Sequence, residues 1–143
     1  MALNQLDNLV RINKLKVEPP DQREFDRMVA SARRGLQDAR VEGISEEGRF
    51  SMLYGAAHSV SLAAMRWHGY RSDNRFLVFQ CLPHTVGLDP VKWRVLDQCH
   101  KARNLAEYEG RLEVAPQLIK ELMEITEELL ALVEAFLPVP EKS

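Results

Sequence analysis

The densest polar chemistry in the chain falls between Asp97 and Tyr108, where His100, Lys101, Arg103, Asn104 and Glu107 also stand. On a helix, His100, Asn104 and Tyr108 occupy i, i+4 and i+8 and share one line, with Arg103 as its near neighbour. A guanidinium, an imidazole, a carboxamide and a phenol held together can grip a phosphate and move a proton. The same residues also have a plainer reading. Arg103 and Glu107 make an ordinary i, i+4 surface pair worth a few tenths of a kcal/mol. Asn104 then bonds a neighbouring backbone group, and Tyr108 is half-buried packing. Spacing alone leaves both readings open.

Whatever these residues do, a helix must carry them. Asp89-Pro90 is a strong start signal, an N-cap acid followed by a first-turn proline, and Gly110 is the stop. Between them Val91, Val95, Leu96, Cys99, Ala102 and Ala106 supply the apolar side. The clearest helix runs from Ala115 to Leu137. One stripe there holds Leu118, Leu122, Ile125, Leu129, Leu132 and Phe136. A second, one residue on, holds Ile119, Met123, Leu130, Val133 and Leu137, with Thr126 as its polar member. Two adjacent stripes predict a helix touching more than one neighbour.

A further amphipathic helix is expected over Asp21–Arg40, and another from a Ser45 cap through Phe50, Tyr54 and Val60 to Gly69. The small residues of the latter invite close approach by a partner helix. Ser72 or Asp73 is expected to cap a shorter segment over Phe76–Leu82. Leu6, Leu9 and Val10 mark a short first helix within an N-terminal arm over residues 1–20, and residues 138–143 read as an unstructured, flexible tail. No strand ladder is expected. The pattern predicts an all-α antiparallel bundle of about five long helices plus the short N-terminal one, in a single domain.

Composition narrows the function classes. Among 143 residues, 19 basic and 21 acidic side chains leave a net charge of -2, which argues against an overall attraction to nucleic acid but allows a local basic face. The arginines of the Asp21–Arg40 helix are the one such cluster, with a solvated face as the commoner outcome. No apolar run reaches membrane-span length and no secretory leader is legible, so a cytoplasmic protein is expected. Cys81-x-x-His84 and Cys99-His100 offer metal-ligand types without the paired spacing of a zinc module, so two buried or half-buried thiols are expected instead. His58 reads as a core histidine, and Trp67 and Trp93 read as packing anchors. With no phosphate loop and no nucleophile elbow, neither cofactor nor metal is expected.

The stretch Lys101-Ala102-Arg103-Asn104-Leu105-Ala106-Glu107-Tyr108-Glu109-Gly110 resembles the Arg-Asn signature near the end of a late helix in HEPN domains. Tyr54-Gly55-Ala56-Ala57-His58 and Trp67-His68-Gly69-Tyr70-Arg71 resemble an earlier helix of that family, and His84 sits where such domains often carry a histidine. The similarity runs over about residues 20–137. It implies a small helical bundle of the kind found in toxin–antitoxin pairs, working as a homodimer on RNA or a nucleotide. It also implies metal-independent cleavage, in which a ribose 2′-hydroxyl attacks the adjacent phosphate. Carried over, Arg103 would hold the phosphate and Asn104 would be its polar partner. The family's histidine position is Tyr108 here, and a phenol with a pKa of about 10 is a poor base at neutral pH. Either His100, one turn earlier, transfers the proton while Tyr108 donates a hydrogen bond, or cleavage is lost. In the second case the chain is a protein-interaction module, for example the partner of a nucleotidyltransferase-type antitoxin.

Overall fold

The computed structural model describes the backbone over residues 2–140 and side chains over residues 5–140. Its elements are α1 (Ala2–Arg11), β1 (Lys16–Val17), α2 (Gln22–Ala39), α3 (Glu46–Trp67), β2 (Tyr70–Arg71), α4 (Arg75–Gln80), α5 (Leu82–Thr85), α6 (Pro90–Glu109) and α7 (Pro116–Glu134). The architecture is an all-α helical bundle, as the hydrophobic periodicity predicts.

Helix α3 is the central element. Phe50, Leu53, Tyr54, Ala57, Val60, Ala64 and Met65 are buried along it, and α2, α7, α4 and α5 all pack against it. Its contact with α2 is unusually close. A β-carbon on Gly35 would meet Ala56 Cβ at 3.2 Å and the Met52 carbonyl at 3.3 Å, so glycine sets the separation there. Helix α7 buries Ile119, Leu122, Ile125, Leu129, Leu130 and Val133 and touches α2, α3 and α6. Each such side chain contributes about 1.5–3 kcal/mol of burial, so its double stripe anchors one whole side of the bundle. Buried Thr126 satisfies its hydroxyl by donating to the Leu122 carbonyl at 2.7 Å.

The caps follow the sequence signals at α3 (Ser45) and α6 (Asp89), and Asp21 caps α2. Gly110 closes α6 at φ 74°, a left-handed conformation open to glycine at little cost. Four expectations need correction. Asn74, rather than Ser72 or Asp73, caps the short fourth segment, because its side chain reaches Leu77 N while Ser72 turns back to Asn74 N. That segment is also two helices, broken at Cys81, with Pro83 in the first turn of α5.

Two residue pairs form an antiparallel bridge, Lys16 with Arg71 and Val17 with Tyr70. No alternating strand pattern announces it, since two residues are too few to carry one. Finally, α7 stops at Glu134, and the chain beyond it folds back onto the bundle. Phe136 stacks on Phe25 and packs against Trp67, whose indole N–H donates to the Leu137 carbonyl at 2.8 Å. Val139 N donates to Gln22 Oε1 at 2.8 Å and its side chain packs on the core, so the chain is tied down at Val139. The tail reading for residues 141–143 lies outside the described residues.

A satellite core of Leu6, Leu15, Met65, Tyr70, Leu77, Val78 and Cys81 seats the N-terminal arm. Beneath the arm lies Arg66, only 2% exposed. Its guanidinium pairs with Glu24 at 2.6 Å and Glu18 at 3.2 Å, and donates to the carbonyls of Glu18 and Pro19. Arg71 pairs with the same two carboxylates. Burial alone would raise the Glu24 pKa, but the hydrogen bonds and charges of Arg66 and Arg71 outweigh it and hold the carboxyl below its ordinary range. Among the described residues no helix is long and apolar enough to cross a membrane.

Candidate functional site

Helix α6 lies against α4 and α7, burying Leu96 and Cys99. At 3.6 residues per turn, each i+4 step carries a side chain about 40° past a full turn. His100, Asn104 and Tyr108 therefore drift progressively away from the core rather than sharing one environment. His100 is half-buried, Asn104 is exposed, and Tyr108 is 90% exposed. The structure thus brings His100, Asn104 and Arg103 together and leaves Tyr108 outside. Tyr108 has no packing contact that would justify the half-buried reading.

What His100 and Arg103 share is Tyr54, projected from α3 and 2% exposed. Its ring stacks on Phe50 and His100 and meets Phe79 edge-on. The Arg103 guanidinium carbon lies 5.0 Å from the ring centroid and that of Arg75 lies 5.8 Å away, within reach of cation–π attraction. The Tyr54 hydroxyl is 2.9 Å from His100 Nδ1, and Asn104 Nδ2 is 3.1 Å from His100 Nε2. With the carboxamide donating to Nε2, the ring proton sits on Nδ1 and is donated to the phenol oxygen. The Nε2 lone pair then faces the exposed Asn104 side.

Electrostatics favour the neutral ring. Burial lowers the His100 pKa, and Arg103 and Arg75 lower it further against an opposing pull from Asp97. Burial raises the Tyr54 pKa, partly offset by Arg103 and Arg75. His58, one turn along α3, is driven down to about 4 by burial and by the same two arginines. It packs edge-on against Phe79. His58 is half-buried and lines a groove with Glu24, Arg27 and Met28, so it stands at the edge of the core rather than within it.

Beside Tyr54 opens a cleft of about 310 Å³ between α3, α4 and the end of α6. Phe50, Ala106 and Leu112 give it apolar walls, and Arg75, Arg103, Glu47 and Glu107 give it charge. Glu107 pairs with Arg103 at 3.2 Å, the ordinary i, i+4 contact that the plainer reading anticipates. Among the described residues Arg75 has no carboxylate partner. His100 and Asn104 do not line the cleft; His100 is linked to it through the Tyr54 hydroxyl, and Asn104 only through His100. Its two arginines can take an anionic group where they outreach Glu47 and Glu107, and the neutral imidazole lies beyond the Tyr54 ring.

Sequence reasoning missed Arg75 as a site residue. It sits between a cap and an apolar segment, with no spacing that ties it to Arg103. Tyr54 is visible in the sequence as an apolar-stripe residue and as the first of the Tyr54–His58 stretch, and neither signal ties it to His100 or Arg103. Elsewhere, His84 lines a separate groove with Asn8, Leu9 and Ile12. His68 caps α3 and contacts the Thr85 carbonyl at 2.9 Å through Nε2. Trp67 and Trp93 are half-buried, and Trp93 packs against Phe76.

Cys81 and Cys99 are free and buried, their thiol pKa values pushed up to about 11 and about 12, by burial in both cases and also by Glu121 at Cys99. Among the described residues no three His, Cys, Asp or Glu side chains gather as a metal site. On α2, Arg33 and Arg40 pair with Glu134 and Glu127 of α7, so the basic cluster is partly neutralised. Comparison with family models, with curated proteins and with solved structures gives no match.

Proposed function

We propose that this chain is a HEPN-like domain of the toxin type that binds RNA or a nucleotide as a homodimer and cleaves RNA at the Arg103 cleft. The observation that carries the reading is the placement of Arg103 over Tyr54, beside an imidazole held between Tyr54 and Asn104. In this reading Arg103 releases Glu107 and takes the scissile phosphate, as a guanidinium fork readily does. The neutral His100 accepts the 2′-hydroxyl proton at Nε2 once Asn104 swings toward the substrate. The 2′-oxygen bonds to phosphorus, and the 5′-oxygen leaves with a proton from water. The products are a 2′,3′-cyclic phosphate and a 5′-hydroxyl. Tyr108, directed outward, donates a hydrogen bond to the substrate or to the second protomer.

The test is cleavage of a labelled single-stranded RNA by purified protein in excess chelator. Cleavage to cyclic-phosphate ends, lost in both Arg103→Ala and His100→Ala, supports the reading. Intact RNA and no binding sink it. Light scattering showing a monomer at micromolar concentration removes the homodimer from it.

A second reading draws on a different observation. Both His100 nitrogens are already engaged, and Leu105 and Tyr108 are exposed on α6. A satisfied histidine beside an outward apolar pair favours a non-catalytic interaction module, such as the partner of a nucleotidyltransferase-type antitoxin. Complex formation without any cleavage of RNA would select it.

A further inference from the structure

Arg75 is the cation in the cleft that the proposed chemistry does not use, and the fold holds it only against Tyr54. It is exposed, it opens a helix too short to contribute a field of its own, and it has no carboxylate partner among the described residues. Yet its guanidinium reaches the ring that Arg103 also covers, and both cations act on the same three groups, Tyr54, His58 and His100. Two like charges aimed into one small cleft repel each other unless an anion lies between them. Glu107 is committed to Arg103, and Glu47, the other carboxylate lining the cleft, pairs with neither arginine.

We infer that Arg75 and Arg103 form a two-point clamp for a nucleotide unit that carries a phosphate on each side, so that the cleft takes an internal segment of a strand in preference to a mononucleotide. The inference rests on the proposed phosphate-binding role of Arg103 and adds the length of strand the site grips. Three features fit this ligand. A cleft of about 310 Å³ is at the size of a single small-molecule unit. The two forks come from different helices, α4 and α6, so they present separate contacts rather than one shared one. The apolar wall of half-buried Ala106 and Leu112 offers a surface for a base, while guanidinium forks match phosphate oxygens two at a time.

The experiment uses the full chain and two non-cleavable probes, adenosine 5′-monophosphate and adenosine 3′,5′-bisphosphate, titrated calorimetrically at fixed salt. The wild type should bind the bisphosphate about tenfold more tightly, as an added phosphate contact implies. Arg75→Gln should abolish that preference while leaving monophosphate affinity within about twofold. Arg103→Gln should weaken both probes. A wild type that binds the two probes equally overturns the clamp and leaves the Arg103 site standing, as does an Arg75→Gln loss shared equally by both. Failure to bind either probe overturns the parent site and the clamp together. Thermal melting of Arg75→Gln should match the wild type, which separates a ligand contact from a packing role.

Discussion

The fold handles two pairs of arginines in opposite ways. Arg66 and Arg71, under the N-terminal arm, are matched by Glu18 and Glu24, and the buried Arg66 is satisfied further by backbone carbonyls. Around Tyr54, Arg103 pairs with the exposed carboxylate of Glu107, and Arg75 has no carboxylate partner among the described residues. The difference separates groups that hold a structure together from groups that wait for a ligand. A buried charge must be paired where it stands, because desolvating it alone costs several kcal/mol. A cation at a cleft mouth keeps part of its hydration and tolerates being unpaired until an anion arrives.

Removing one side of each pair should expose this difference. Arg66→Ala leaves Glu24 half-buried beside one remaining arginine and strips the partner from the Glu18 and Pro19 carbonyls. It should cost about 3 kcal/mol or more in urea unfolding, with the arm detached from α3 as its local consequence. A loss below about 1 kcal/mol would break the comparison at its strong end.

Acid should act next. His58 titrates at about 4 in the folded protein against about 6.5 unfolded, so the unfolded chain binds its proton more readily. Its contribution is complete above pH about 6.5 and drains away as pH falls toward 4. Glu24, also held below its ordinary value, pulls in the same direction at lower pH. Urea midpoints measured from pH 7 to pH 4 should fall, and His58→Phe should flatten the upper part of that descent. A midpoint unchanged across the range would refute the burial argument for His58.

At the ligand end, Arg103→Gln should change stability by less than about 1 kcal/mol, since it removes an exposed pair and one cation–π contact. RNA cleavage should nevertheless fall by about a hundredfold or more. If stability drops as far as in Arg66→Ala, Arg103 is a structural residue and the contrast is lost. The smallest effect belongs to Tyr108→Ala. With the ring 90% exposed, unfolding should move by no more than about 0.5 kcal/mol, so any change in dimerisation or RNA affinity reads out its surface role alone.

The sequence by itself determined the helices and most of their ends. Repeats of three and four apolar residues, proline at the first turn and Asp, Ser or Gly at the termini are local physics, and they act before any helix meets another. It also placed His100, Arg103 and Asn104 near one another, because four residues along a helix is a fixed distance. Tyr108 failed the same test, since the drift of about 40° per step matters only once the direction of the core is known. Tertiary structure alone decided that the partner of His100 is Tyr54, 46 positions earlier. It likewise decided that Arg75 faces the same ring, and that the Lys16–Val17 bridge pins the arm above Arg66. Each of these depends on which helix faces which, and that follows from packing summed over the whole bundle rather than from any neighbouring stretch of chain.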